Sequence, residues 1–167
     1  GNKENMGFLI TMSKNITRYI KLIKNQTPIE SNLLGALPDS LNIEFASRRI
    51  GTFSDALQWF AETFFWVRIE RLLNKKMKIN NILNLKEFKS VVKSFFISQA
   101  LNELASSGLL KFKLSDNFVS TTIYGKICAF YHVNYQIFLE IISKLSPNIN
   151  LCQLLNLISC SREFSPF

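Results

Sequence analysis

The hydrophobic pattern changes its period several times along the chain, and each change predicts an element. Gly7 to Met12 is a short apolar run, and Ile16, Tyr19, Ile20 and Ile23 follow at helical spacing, so a strand feeding a helix is expected. No partner strand precedes it, so that strand must pair elsewhere or stay marginal. Lys24 to Ser31, with Gln26, Thr27 and Pro28, reads as a connector, because proline donates no hydrogen bond and biases its predecessor toward extended geometry. Leu33, Leu34, Leu37, Leu41 and Phe45 predict a helix interrupted near Pro38, with Asp39 or Ser40 capping a second piece and Gly51 closing it. Ser54 or Asp55 then caps a long helix to about Leu73. Trp59, Phe60, Phe64, Phe65, Trp66 and Ile69 make that helix apolar on most sides, the pattern of a central helix covered on several faces.

A Lys75–Asn84 loop leads to a helix over about Leu85–Ser107 whose stripe shifts partway. Phe88, Val91, Val92 and Phe95 share one face, while Ile97, Leu101 and Leu104 lie nearly opposite, so the helix either bends or buries its second half. Gly108 supplies the left-handed residue that closes it, and Leu109–Leu114 and Phe118–Thr122 around Ser115-Asp116-Asn117 predict a β-hairpin. Three helices followed by a hairpin is the layout of a winged helix, in which the third helix and the hairpin usually face nucleic acid. Ile123–Tyr131, Ile137–Leu145 and Leu151–Ile158 give three further helical stretches whose apolar stripes want partners, and the pattern reads as a truncated domain. Neither an internal repeat nor a low-complexity tract interrupts this order.

Composition narrows the class. With 167 residues, 47% of them apolar, and fifteen Phe, the chain has the material for a buried core. A formal net charge of +8 favours polyanionic partners: nucleic acid first, with an anionic membrane surface or plain genomic Lys bias as alternatives. Cys128, Cys152 and Cys160 form no CxxC pair and are odd in number, which suggests neither a disulfide framework nor a zinc ribbon and points to a reducing compartment. No uninterrupted apolar run of membrane-spanning length and no signal-peptide pattern occur, so the reading is a soluble intracellular protein and the sequons at Asn15 and Asn25 are chance matches.

Catalytic chemistry is not encoded in recognisable form. A phosphate-gripping loop needs clustered glycines before Lys-Ser or Lys-Thr, whereas Gly125-Lys126 is followed by Ile127. The sole histidine, His132, lies among Tyr131, Val133 and Tyr135 with no ligand or triad partner nearby, so a structural role is expected. Glu62 and Glu70 share a helix side and read as salt-bridging residues rather than an acid–base pair. The basic residues carry more. Lys86, Lys89 and Lys93 fall in one stripe opposite Phe88, Val91 and Phe95, which predicts a wet cationic face, either for phosphate contact or as an ordinary solvated surface. Arg48 and Arg49 sit at a helix C-terminus, where cations also complement the dipole. Lys111, Lys113 and Lys126 surround the hairpin, for nucleic acid or as charge protecting an exposed edge. Trp59, Phe60, Phe64 and Trp66 read as core rather than base-stacking platforms. No catalytic residue, metal ligand or cofactor site is expected in this chain.

The spacing of Pro28-Ile29-Glu30-Ser31, Leu41-Asn42-Ile43-Glu44-Phe45, Gly51-Thr52 and Asp55-Ala56-Leu57-Gln58-Trp59 resembles the winged-helix entry of the large Ski-two-like, superfamily-two helicases. These include the spliceosomal unwinding enzyme, the meiotic crossover helicase and the activating-signal-cointegrator helicase. Thr63-Phe64-Phe65-Trp66-Val67-Arg68, Leu101 to Leu110, and Thr122 to Tyr131 with its Thr-x-x-Gly-Lys start extend the likeness into the entry of the Sec-type helical domain, and Ser161-Arg162-Glu163-Phe164 looks like that domain's early Glu-Phe motif. Ile43 in place of alanine and the lysine-rich Asn74–Asn84 loop are departures. The resemblance implies a mainly α fold: 1–27 the terminal strand and helix of a second motor lobe, 28–122 the winged-helix domain, and 123–167 the first helices of a truncated helical bundle. It implies a parent helicase using ATP and Mg, partnered by DNA or RNA backbone and by its own motor and helical domains, nuclear or else cytoplasmic, with no membrane. Within that parent this chain is a non-catalytic brace, and the Phe-rich helix and the Cys160–Phe164 ending lean toward the meiotic DNA type over the spliceosomal RNA type. The alternatives are a protein-interaction module without nucleic-acid contact and a standalone DNA-binding regulator.

Overall fold

The computed structural model describes residues 7–24, 26, 29–80, 85–113 and 117–161, without the side chains of 76–80 and 85. Asn25, Thr27–Pro28, the 81–84 part of the predicted loop, the Leu114–Asp116 turn and the Arg162–Phe164 motif lie outside those residues. Two compact units are present, Gly1–Ser31 and Asn32–Phe167.

In the first unit the strand expected over Gly7–Met12 is not formed. A strand leaves its backbone groups unpaired unless a neighbour completes the ladder, and among the described residues none does. A short 3-10 turn, Ser13–Asn15, opens into α1, Ile16–Ile23, whose apolar residues Ile16, Ile20 and Ile23 are exposed.

The second unit begins with α2, Leu33–Ala46, which runs through Pro38 instead of breaking there. Proline withholds one bond, to the carbonyl four residues back, and here that residue, Leu34, lies on an exposed first turn while the proline ring itself is buried. Asp39 is therefore mid-helix and turns its carboxylate to another element. α2 ends with Arg48 in the left-handed region (φ 59°), Arg48 N donating to Phe45 O and Arg49 N to Glu44 O, so closure precedes Gly51.

The long helix expected over 54–73 is two helices. α3, Phe53–Ala61, starts on a capping box formed by Thr52 and Asp55, not on a Ser54 or Asp55 cap. α4, Phe64–Asn80, starts at Thr63, whose hydroxyl accepts from Trp66 N at 3.2 Å and donates to Phe60 O at 2.7 Å. A threonine able to satisfy backbone groups on both sides breaks a pattern whose hydrophobicity is continuous. α4 also runs into the expected Lys75–Asn84 loop, consistent with the helix propensity of Lys and Met.

α5, Leu85–Ser106, resolves the shifted stripe by burial. Ile97, Ala100, Leu101 and Leu104 are core, while Phe88, Val91 and Phe95 on its first half are exposed. Gly108 (φ 72°) closes it as expected. Strands β1, Leu110–Phe112, and β2, Val119–Thr121, pair antiparallel, and a single bridge between Thr52 and Phe118 adds the chain before α3 to the sheet. The result is mainly α with one small hairpin, a winged-helix-like arrangement.

Thr122 then starts α6, Ile123–Phe130: its hydroxyl accepts from Gly125 N at 3.2 Å and lies within 2.9 Å of the Gly108 and Leu109 carbonyls. Buried Asn42 of α2 donates to Gly125 O at 2.9 Å, which clamps α6 onto the core. His132 closes α6 in the left-handed region (φ 52°) as an exposed turn residue. α7, Tyr135–Lys144, and α8, Leu151–Ser159, follow. Asp39 Oδ1 accepts from Tyr135 N and Oδ2 from Asn134 Nδ2, both at 2.8 Å, and the Tyr135 hydroxyl donates to Glu103 of α5. Burial pushes the Asp39 carboxyl and the Tyr135 phenol above their ordinary values. One core, from Leu37, Leu41 and Phe45 through Phe60 and Trp66 to Leu101, Leu104, Val119 and Phe138, spans α2 to α7.

Candidate nucleic-acid interface

The wet cationic stripe expected on α5 is not what the fold presents. Lys89 Nζ lies 2.7 Å from Glu70 Oε1 of α4, and only 17% of the lysine side chain is exposed. Lys93 Nζ sits 5.5 Å from the centroid of the buried Trp66 ring. Both cations therefore serve the α4–α5 contact, one by an ion pair and one by cation–π attraction along a partly covered stem. Only Lys86 of the three is exposed. The opposite face, expected to be covered, is the open one: Val91 is 66% and Phe95 63% exposed. The two-faced pattern was correct, and its orientation was inverted, because Glu70 and Trp66 lie on the lysine side.

The remaining basic residues separate into two places. On the hairpin, Lys111 and Lys113 are exposed on the outer face. Between the end of α2 and α6, Arg49 and Lys126 line one cleft of about 460 Å³ together with Phe130 and His132. Arg49 is held there by Glu44 at 3.1 Å and by the Ser47 hydroxyl at 3.2 Å. Arg48 is exposed beside it. Sequence reasoning missed Phe130 and His132 as residues of the Arg49 cleft, since that cleft joins residues about eighty positions apart in the chain. It also missed Phe118, although alternation in Phe118-Val119-Ser120 already sends Phe118 to the face opposite buried Val119.

The Gly125–Lys126 pair builds no phosphate cradle. Gly125, the one glycine followed by lysine, is buried so closely that a Cβ would stand 2.3 Å from Leu109 O, leaving no room for a phosphate. Among the described residues no group of His, Cys, Asp or Glu is arranged to hold a metal, and no helix is long and apolar enough to cross a membrane. Burial pushes the Cys128 thiol up to about 11, and Cys128 Sγ donates to Val133 O at 3.0 Å, so this cysteine is an inert core residue.

No family model matches the chain. It is 25% identical over 158 residues to the U5 small nuclear ribonucleoprotein 200 kDa helicase of Drosophila melanogaster, covering 95% of this chain and 7% of that protein. It is 25% identical over 163 residues to the DExH-box ATP-dependent RNA helicase DExH13 of Arabidopsis thaliana, covering 98% of this chain and 8% of the relative. It is 29% identical over 151 residues to the human activating signal cointegrator 1 complex subunit 3, covering 88% of this chain and 6% of that protein. The chain thus spans 6 to 8% of the length of these curated relatives. Its homologues over nearly the whole chain are Ski-two-like, superfamily-two helicases, of which it matches one small segment.

Proposed function

We propose that the chain is the non-catalytic winged-helix segment of an ATP-dependent nucleic-acid helicase, bracing the motor against the following helical domain. The domains within it are 1–27 as the end of a motor lobe, 28–122 as the winged helix and 123–167 as the start of the helical bundle. The observation that carries the brace is the inverted face of α5: Val91 and Phe95 point outward while Lys89 and Lys93 are tied to α4. An outward apolar stripe on α5, the helix before the hairpin, suits contact with protein better than contact with phosphate. Nucleic-acid backbone contact then belongs to Lys111 and Lys113 on the hairpin and to Arg48, Arg49 and Lys126 at the α2–α6 cleft, with Lys86 the one exposed lysine of α5. RNA is the substrate class that the name of the Arabidopsis relative suggests, and the meiotic DNA lean rests on the Phe-rich helix and the Cys160–Phe164 ending. Nuclear placement follows the same resemblance, and the motor's ATP and Mg sites lie in other domains of the parent.

The test is made in the parent helicase. Introducing Val91→Asp and Phe95→Asp together is expected to cut strand separation about tenfold, a loss of about 1.4 kcal/mol in coupling, while ATP hydrolysis continues. Unwinding equal to that of the unmodified enzyme sinks the brace. For the phosphate contacts, binding of generic strands should weaken steeply with salt, and a chain that binds no strand at all returns the interaction-module alternative.

A further inference from the structure

The outer face of the hairpin combines groups that the brace does not use. The register pairs Leu110 with Thr121, Lys111 with Ser120 and Phe112 with Val119, so the next outward pair is Lys113 and Phe118. Leu110, Phe112 and Val119 turn inward, Phe112 stacking on Phe53 with ring centroids 5.9 Å apart. Phe118 turns outward and is 61% exposed, with no ring against it among the described residues. Its backbone is nonetheless anchored: Phe118 bridges to Thr52, Phe53 N donates to Asn117 O at 3.0 Å, and Val119 N donates to Gly51 O at 3.2 Å. An open cleft of about 480 Å³ covers this face, with Lys111, Lys113, Phe118 and Ser120 among its walls. No carboxylate among the described residues pairs with either lysine.

A lone exposed ring would suit any apolar partner, but a ring on an anchored backbone beside two exposed lysines, with which no carboxylate among the described residues pairs, has a narrower complement. A nucleotide supplies a flat π-face for the ring and a phosphate on each side for the lysines, and the cleft is of a size that small ligands occupy. We propose that Phe118 is a stacking platform for one base of a single-stranded nucleic acid, with Lys111 and Lys113 holding the phosphates that flank it. The inference rests on the nucleic-acid contact proposed above and adds a base contact to it. Stacking accepts any base and either sugar, so it predicts affinity without sequence preference.

The test uses the full 167-residue chain and a pair of fluorescent strands of equal length, roughly twelve residues each, one of thymidines and one abasic throughout, with a uridine strand to compare RNA with DNA. Equal phosphate charge makes the ratio of the two affinities a measure of stacking. The base-bearing strands should bind about 5- to 100-fold more tightly than the abasic one. Phe118→Ala should erase that ratio while leaving abasic binding unchanged, and Phe118→Trp should preserve it. Replacing Lys111 and Lys113 together with alanine should weaken both strands alike and lower the salt slope by about 1.4. A ratio near one in the unmodified chain, or one unaltered by Phe118→Ala, overturns stacking and leaves the phosphate contact standing. Failure to bind either strand at low salt overturns both. An acidic peptide that displaces the thymidine strand as well as free thymidine strand does makes the face a protein contact and overturns the proposal. Phe118 is too exposed for its truncation to unfold the chain, and far-ultraviolet circular dichroism of the variant checks this.

Discussion

At the scale of single residues, positions that look alike in the sequence differ sharply in what they meet. Gly125 is a case: a Cβ there would stand 2.3 Å from Leu109 O, 2.9 Å from Asn42 Oδ1 and 2.9 Å from Thr121 Cγ2. The nearest of these is backbone and cannot swing aside, so α6 would have to lift from the hairpin. Gly125→Ala should lower stability by about 1–3 kcal/mol in urea unfolding despite alanine's better helix propensity, whereas Gly35→Ala, on an exposed turn with nothing within 4 Å, should be neutral or stabilising. Asp55 gives a pH-dependent prediction. Its carboxylate accepts from Gly51 N at 3.0 Å and Thr52 N at 2.9 Å, and these bonds, first Gly51's and then those to Thr52, hold its carboxyl below the ordinary 3.8. The stabilisation is therefore present above pH 3.8 and lost as pH falls through the lowered value. Asp55→Asn should be less stable than the unmodified chain at neutral pH, and the gap should close as pH falls through the lowered value, where both approach the same uncharged cap. Asp39 acts in the opposite sense, since burial raises its carboxyl: its contribution is fully present below 3.8 and is lost as pH rises through the raised value. A gap for Asp55→Asn that persists in acid would show that the capping box does not depend on charge.

At the scale of elements, the sequence carries local signals well and directional ones badly. The hairpin, the Gly108 closure and the positions of α5 to α8 are legible because turn chemistry and a period of 3.6 or 2 are properties of neighbouring residues. The break at Thr63 is not legible from hydrophobicity, because Phe60, Phe64, Phe65 and Trp66 continue the apolar run across it, and only the reach of the Thr63 hydroxyl to both helix ends decides. The α5 site was legible as two faces and misread as to which is covered. Lysine and aromatic periodicity says that the faces differ, while the side on which Glu70 and Trp66 stand depends on how α4 crosses. A pair of stability measurements separates these halves of α5. Leu101→Ala, in the fully buried half, should cost about 2–5 kcal/mol, whereas Val91→Lys with Phe95→Lys should change stability by less than about 1 kcal/mol. If the double lysine variant unfolds, the first half of α5 is covered within this chain and the docking face assigned to it does not exist.

At the scale of the second unit, the question is whether the helices after the hairpin are an appendage or part of the core. Phe138 and Tyr135 of α7 belong to the same buried cluster as Leu101 and Trp66, and α7 is held at its start from two directions. Asp39 of α2 accepts from Asn134 and Tyr135 there, and Glu103 of α5 accepts from the Tyr135 hydroxyl. A mid-helix aspartate that would be a solvated residue on an isolated helix thus caps an element almost a hundred positions away, and its raised carboxyl is the cost of that placement. Asp39→Ala leaves the Tyr135 amide and the Asn134 side chain without their acceptor and should cost about 1–2 kcal/mol, toward the low end because the site is only half-buried. The discriminating observation is the shape of unfolding. Fluorescence of Trp59 and Trp66 reports on the α3–α5 core, and far-ultraviolet circular dichroism reports on all helices, α6 and α7 included. If the Asp39 tie makes one cooperative unit of α2 to α7, the two signals should share a midpoint in the unmodified chain and should shift together in Asp39→Ala, with Tyr135→Phe adding a smaller shift of the same kind. An early circular dichroism transition that leaves the tryptophan fluorescence untouched would mean that α6 and α7 melt alone. A brace made of these helices could not then carry force from one side of the hairpin to the other.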